Sequence, residues 1–179
     1  MTTIDQTHSG ISFARGQARP VARALQRAIA TPADASATVA RVALGLIMLP
    51  HGMQHALGLL GGYGFSGTLG WMTGTLGFPA PLAALAIVTE LVAPLLLIAG
   101  LGGRAAALGI IGIMAGAVMT HAPAGFFMNW FGKLPAGTEG FEYHLVVAAL
   151  AAVVVIKGSG ALSVDRVVSQ RLSAEVGDQ

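Results

Sequence analysis

His51-Gly52-Met53-Gln54-His55 sets two imidazoles four residues apart, with an amide between them, inside an otherwise apolar stretch. On a helix these positions share a face. One such face can ligate a metal ion, or it can hydrogen-bond a bound molecule and move protons near neutral pH. Glu90 stands alone in a second apolar stretch. A carboxylate at mid-bilayer costs about 2.5–3.5 kcal/mol on insertion scales, so it needs an interior position and a partner. His121 closes a third apolar stretch, and Glu139, Glu142, Tyr143 and His144 open a fourth. Met53-x-His55 and Met119-x-His121 add a thioether beside an imidazole, a pairing that suits Cu(I) but is also ordinary core filling. Hydrogen-bonded interior histidines and metal ligands His51, His55 and His121 therefore stand as alternatives, with no HExxH context to favour the metal.

Four helices must position these groups. Of the 179 residues, 54% are hydrophobic and only 10% charged, against about a quarter charged in a soluble domain. The composition predicts an all-α polytopic membrane protein that lies in the lipid bilayer. Helices are expected at about 33–60, 80–101, 104–122 and 141–158, forming a four-helix transmembrane bundle over 33–158. A basic arm at 1–32 precedes it and a tail at 159–179 follows. Thr31-Pro32-Ala33-Asp34 reads as the first helix start, with Thr31 as N-cap and proline at the first helical position. At about 1.5 Å per residue, His51 lies about 13 Å, and Glu90 about 15 Å, below the same end of the bundle. His51, Gln54 and His55 are the candidate partners of Glu90, and His51 and Glu90 are the candidate catalytic pair. Of Glu142 and His144, two residues apart, one should face inward, and Glu142 is preferred.

Basic residues assign the topology. The arm, Arg41, Arg104, Lys157, Arg166 and Arg171 fall on one side, whereas the long connections carry only Lys133. Excess Lys and Arg mark the cytoplasmic face, so both termini are expected there. Arg15, Arg19, Arg23 and Arg27 recur every fourth residue, which fits either an amphipathic helix on anionic lipid or a flexible basic arm. Every aromatic residue except Phe13 lies in or beside the two long connections. They predict an outer interfacial belt and a lid over a polar pocket in the outer half of the bundle. Gly109, Gly112 and Gly116 form a small-residue stripe expected to pack helices closely. Pro50 and Pro94 fall inside helices, and Pro94 frees the Glu90 carbonyl from its helical bond.

Other chemistries are excluded. Without cysteine the chain has no disulfide, no Fe–S ligands and no c-type haem attachment. It has no nucleotide-binding loop between a strand and a helix. The net charge of +2 is too small and too dispersed for a nucleic-acid partner.

The chain resembles the DoxX family. The resemblance rests on Arg41-Val-Ala-Leu-Gly-Leu-Ile, His51-Gly-Met-Gln-His55, Trp71, Gly77-Phe-Pro-Ala-Pro81, Glu90-Leu-Val and Gly102-Gly-Arg104. It continues through Ala124-Gly-Phe-Phe-Met-Asn-Trp130, Gly140-Phe-Glu-Tyr-His144 and Gly160-Ala-Leu-Ser-Val-Asp165, over residues 38 to 168. It implies a four-span protein of the bacterial inner membrane linked with redox or sulfur chemistry, with a quinone as the expected cofactor. His51, Gln54, Glu90, Asn129 and Glu142 become the ligand-site candidates by resemblance, and His55, His121 and Trp130 complete the candidate set. A basic residue commonly follows the motif glutamine in the family; here it is His55, a group that can titrate. The chain has no electron carrier of its own, so a redox partner protein is expected, and a homo-oligomer is compatible with the helix surfaces. A non-catalytic anchoring subunit and a metal or small-solute carrier are the competing functions.

Overall fold

The structure, a computed structural model, describes residues 24, 26–133, 135 and 138–177. Among these residues every regular element is helical: α1 (Ala35–Leu57), α2 (Gly64–Gly74), α3 (Ala80–Ala99), α4 (Gly103–His121), a 3₁₀ turn at Ala122–Ala124, α5 (Glu142–Lys157) and α6 (Val164–Gly177). Three helices are long and apolar enough to cross a membrane: α1, α3, and α4 continued to Ala124. The fourth expected span is shorter. Its 16 residues rise about 24 Å, less than the ~30 Å of a hydrocarbon core.

Small and aliphatic side chains bring α1, α3, α4 and α5 around one core. Ala40, Leu44 and Met48 of α1 meet Ala93 and Leu97 of α3, Ala107 and Ile110 of α4, and Val147, Ala151 and Val154 of α5. The tightest crossing is between α1 and α3. A Cβ on Gly52 would collide with the Glu90 carbonyl and with Leu91 Cα, so only glycine lets these two backbones touch. That contact lies directly behind the Glu90 side chain.

The end of the bundle that carries the start of α1 is closed by polar ties. Asp34, rather than Thr31, caps α1: its carboxylate accepts from the backbone N–H of Ser36 at 2.8 Å and Ala37 at 3.1 Å and from Lys157 Nζ at 2.8 Å. The Lys157 bond first, then the Ser36 hydroxyl, which also donates to this carboxylate at 2.6 Å, and the Ala37 N–H hold the Asp34 carboxyl well below the usual carboxylate range. Thr31 is taken elsewhere, accepting from the Gly160 N–H at 2.8 Å. Arg41, 1% exposed, donates to the carbonyls of Ser159 (2.8 Å), Ile98 (2.8 Å), Leu162 (2.6 Å) and Leu97. It joins the end of α3 to the segment between α5 and α6. Asp165 accepts from the Gly102 and Gly103 N–H groups at 2.8 and 3.1 Å and from Ser159 Oγ at 2.5 Å, meeting the free donors at the start of α4. Arg104 reaches the carbonyls of Val155 and Ala30. Arg41, Arg104 and Lys157, read from sequence as topology signals, are therefore also structural ties.

At the chain ends the structure describes the tail and little of the arm. The C-terminal tail contains α6, whose Ser173 Oγ accepts from Gln26 Nε2 at 2.8 Å. Arg15, Arg19 and Arg23 lie outside the described residues; Arg27 is helical and exposed.

Candidate functional site

At the opposite end the helices enclose a cavity of about 640 Å³, within the ~300–1,000 Å³ usual for small-molecule sites. Four of the chain's five histidines line it. α1 contributes Met48, His51 and His55; α3 contributes Thr89 and Glu90; α4 contributes Gly109, Gly112, Gly116, Thr120 and His121; α5 contributes Tyr143 and His144. α2 lies across the opening with Thr68, Trp71 and Met72, and Glu139 reaches it from the connection before α5.

His55, not His51, is the partner of Glu90. Its Nδ1 lies 2.6 Å from Glu90 Oε2. A carboxylate can only accept, so Nδ1 carries the proton and the other ring nitrogen faces the remaining surroundings. The Glu90 side chain is 11% exposed and that of His55 35%, so the acid is enclosed and the base is part-open. His51 shares the depth of Glu90 and lines the cavity, but its Nδ1 bonds its own helix at the Ile47 carbonyl, 3.2 Å away. His121 does likewise with Ala117 at 2.9 Å. A carbonyl acceptor fixes the Nδ1–H tautomer in the neutral ring, which makes Nε2 the lone-pair nitrogen of both residues. The His121 and His144 rings lie 4.6 Å apart. Two wall atoms, Thr68 Oγ1 and His144 Nδ1, are buried without a hydrogen-bond partner among the described residues. Each such group costs about 1–3 kcal/mol.

Four sequence candidates sit elsewhere. Gln54 turns away and donates to the Leu60 carbonyl at 3.1 Å, holding a non-glycine residue at φ +52° in the tight return between α1 and α2. Glu142 is not the inward residue of its pair; His144 is. Glu142 begins α5, and its carboxylate accepts from the Met128 N–H at 3.3 Å and Trp130 Nε1 at 3.4 Å, pinning the preceding connection. Asn129 and Trp130 belong to that connection, where they line a separate surface hollow of about 290 Å³ with Lys133. The lid is also divided. Trp71 and Phe78 cover the cavity, whereas Tyr63, Phe127, Trp130 and Phe131 are 71–85% exposed, the position of interfacial aromatics.

Among the described residues no three His, Asp or Glu side chains meet as a metal-holding group, and His51, His55 and His121 do not converge on a point. The glycine stripe of α4 faces the cavity. Gly109 does pack closely, since a Cβ there would lie 2.7 Å from Thr89 Cγ2, but one at Gly112 would meet nothing within 4 Å.

Sequence reasoning missed Thr68. It lies in α2, an 11-residue helix with glycine at positions 64, 67, 70 and 74. Such a composition disfavours a helix by about 1 kcal/mol per glycine, so nothing in the local sequence announces the element that carries it. The sequence did place Glu90 at the depth of the His51–His55 face, and the cavity is built at that depth.

The comparisons with known proteins agree with this architecture over its first three long helices. No curated protein and no solved structure matches the chain. A family model, DoxX, matches residues 36–123, from the first turn of α1 to the turn after α4, and so includes His51, His55, Glu90 and His121. With its long apolar helices the chain is a multi-pass membrane protein, and over residues 36–123 it carries a DoxX domain.

Proposed function

We propose that the chain is a component of a membrane redox system and binds a quinone-like molecule in the cavity between α1, α3, α4 and α5. The observation that carries this reading is the pairing of His55 with Glu90 in a wall that also presents two unpartnered polar atoms, Thr68 Oγ1 and His144 Nδ1. A flat ring with oxygens at opposite edges suits such a wall. Thr68 Oγ–H can donate to one oxygen, while His55 or His144 donates to another. When bound, a quinone supplies uptake of two electrons and two protons. In this reading the electrons come from a partner protein or an external donor. The chain's own part is protonic. Doubly protonated beside Glu90, His55 would give its cavity-facing Nε2 proton to one ring oxygen on reduction, keeping Nδ1–H on Glu90 and leaving the imidazole neutral. The second proton would come from Nε2 of a protonated His51 or His121, and on reoxidation the same Nε2 atoms would take both protons back. Trp71 and Phe78 cover the apolar face and exclude water.

In the same reading α5 is the fourth span of a bundle in the bacterial inner membrane. The cavity end faces outward and the Arg41 end faces the cytoplasm, as the distribution of Lys and Arg supports. Purified protein in lipid nanodiscs tests the function. Extraction should yield bound quinone, and Glu90→Gln should weaken quinone binding by about tenfold, the scale of one charge-assisted hydrogen bond. Absence of bound quinone together with unsaturable titration by added quinone would overturn it.

A further inference from the structure

The cavity has a side opening. α3 and α4 touch where Thr89 Cγ2 lies against Gly109, and one turn beyond that contact they part. A Cβ at Gly112 would meet nothing within 4 Å, and one at Gly116 would meet only the Phe78 ring, at 3.8 Å. Across the gap, Leu82 and Leu85 of α3 line the same cavity yet are 51% and 62% exposed. The gap is thus bounded by Thr89 and Gly109 on one side and by Phe78 on the other, and it opens on the lateral surface rather than at the helix ends. In a membrane that surface meets acyl chains.

Two observations point to an occupant. Thr68, 3% exposed, lines the cavity and has a hydroxyl without a hydrogen-bond partner among the described residues; with four histidines in the same wall, the enclosed end suits a polar head. The opening is apolar along both walls, Leu82 and Leu85 facing a glycine stripe, and carries no charged side chain. A molecule filling both has a polar head and a long apolar extension. We propose that the α3–α4 gap is a lateral portal through which a lipid-dissolved ligand enters from the bilayer, its head in the cavity and its hydrocarbon tail lying over Gly112 and out between Leu82 and Leu85. This rests on the quinone reading and adds the class of ligand: long-chain and membrane-resident, rather than water-soluble. Glycine on α4 is then a device for clearance, where any larger side chain would close the passage.

The test compares two quinones in nanodiscs, one with a polyisoprenoid tail and one with the same ring and only a methyl group, with affinities expressed per mole of lipid so that partitioning cancels. Gly112→Leu fills open space on a helical residue and is expected to fold; Leu85→Trp narrows the passage from the opposite wall. Both variants are expected to weaken the long-tailed quinone by about tenfold or more relative to the tail-less one, because overpacking the passage meets only the tail. Equal changes for both ligands in both variants overturn the portal. So does wild-type protein that binds the tail-less ring but not the long-chain form, a result that leaves the quinone reading intact. Wild-type protein that binds neither removes the quinone reading and the portal with it.

Discussion

Replacing His55 and Glu90 singly and together separates a working pair from a structural one. An exposed ion pair contributes about 0–1 kcal/mol, whereas breaking an enclosed one by removing one partner costs about 3–5 kcal/mol. Here Glu90 is 11% exposed and His55 35%, so the pair falls between these limits, and Glu90→Leu should cost about 2 kcal/mol. Most of that cost is the His55 N–H left beside an apolar wall. In the double variant, His55→Leu with Glu90→Leu, that group is gone and both desolvation penalties vanish. Its stability should return to within about 1 kcal/mol of wild type, giving a coupling energy of about 1 kcal/mol or more between the two sites. Equilibrium unfolding in mixed micelles, followed by the fluorescence of Trp71 and Trp130, measures all four proteins, and quinone titration is run on each. A stable double variant that no longer binds quinone identifies a pair kept for its chemistry at a cost in stability. If the two single losses simply add, the coupling argument is wrong. If the double variant binds quinone as wild type does, the pair is interhelical glue and has no part in holding the ring.

Gly52→Ala should destabilise the protein by about 1–3 kcal/mol, because the new methyl meets the Glu90 carbonyl; a melting temperature equal to wild type would show that α1 and α3 are free to separate. Arg41→Met removes the donor to four carbonyls in a buried setting, at about 1–3 kcal/mol for each carbonyl left unpaired. Loss of folded protein from membranes is expected, read by detergent-resistant accumulation. Asp34 gives a pH dependence: its pKa is lower folded than unfolded, so its contribution is complete above the ordinary carboxylate pKa of about 3.9. That contribution declines as pH falls below this value toward the lower folded one. Unfolding midpoints of wild type and Asp34→Asn should therefore differ at pH 6 and converge toward pH 2, roughly the range the linkage spans; a constant difference would count against the tie to Lys157.

Helix positions were legible because hydrophobic length and glycine or proline punctuation are local signals. α3 was expected at 80–101 and runs Ala80–Ala99; α5 was expected at 141–158 and runs Glu142–Lys157. Glu90 was legible as a residue in need of a partner, because lipid penalises charge whatever the fold. Which histidine answers it was not: His51 and His55 share a helix face, and the choice is made by the crossing at Gly52, a long-range contact. Glu142 and His144 were separated correctly and ordered wrongly, since a residue in the first helical turn can spend its side chain on the preceding chain, as Glu142 does on Met128 and Trp130. Thr68 was invisible for another reason. α2 is held by tertiary packing against its composition, so its hydroxyl had no assignable face.

The Gly52 crossing also decides which wall of the cavity can yield. Because the α1 and α3 backbones are already in contact behind Glu90, that side has no slack to give a bulkier ring, whereas α2 is glycine-rich and α4 stands clear of α3 beyond Gly109. Accommodation is therefore lopsided: the His55–Glu90 side acts as a fixed gauge, and differences in ligand size are taken up by α2 and the gap beside α4. Variation at Gly67, Gly70 or Gly112 should retune which molecules fit without disturbing the proton-bearing pair.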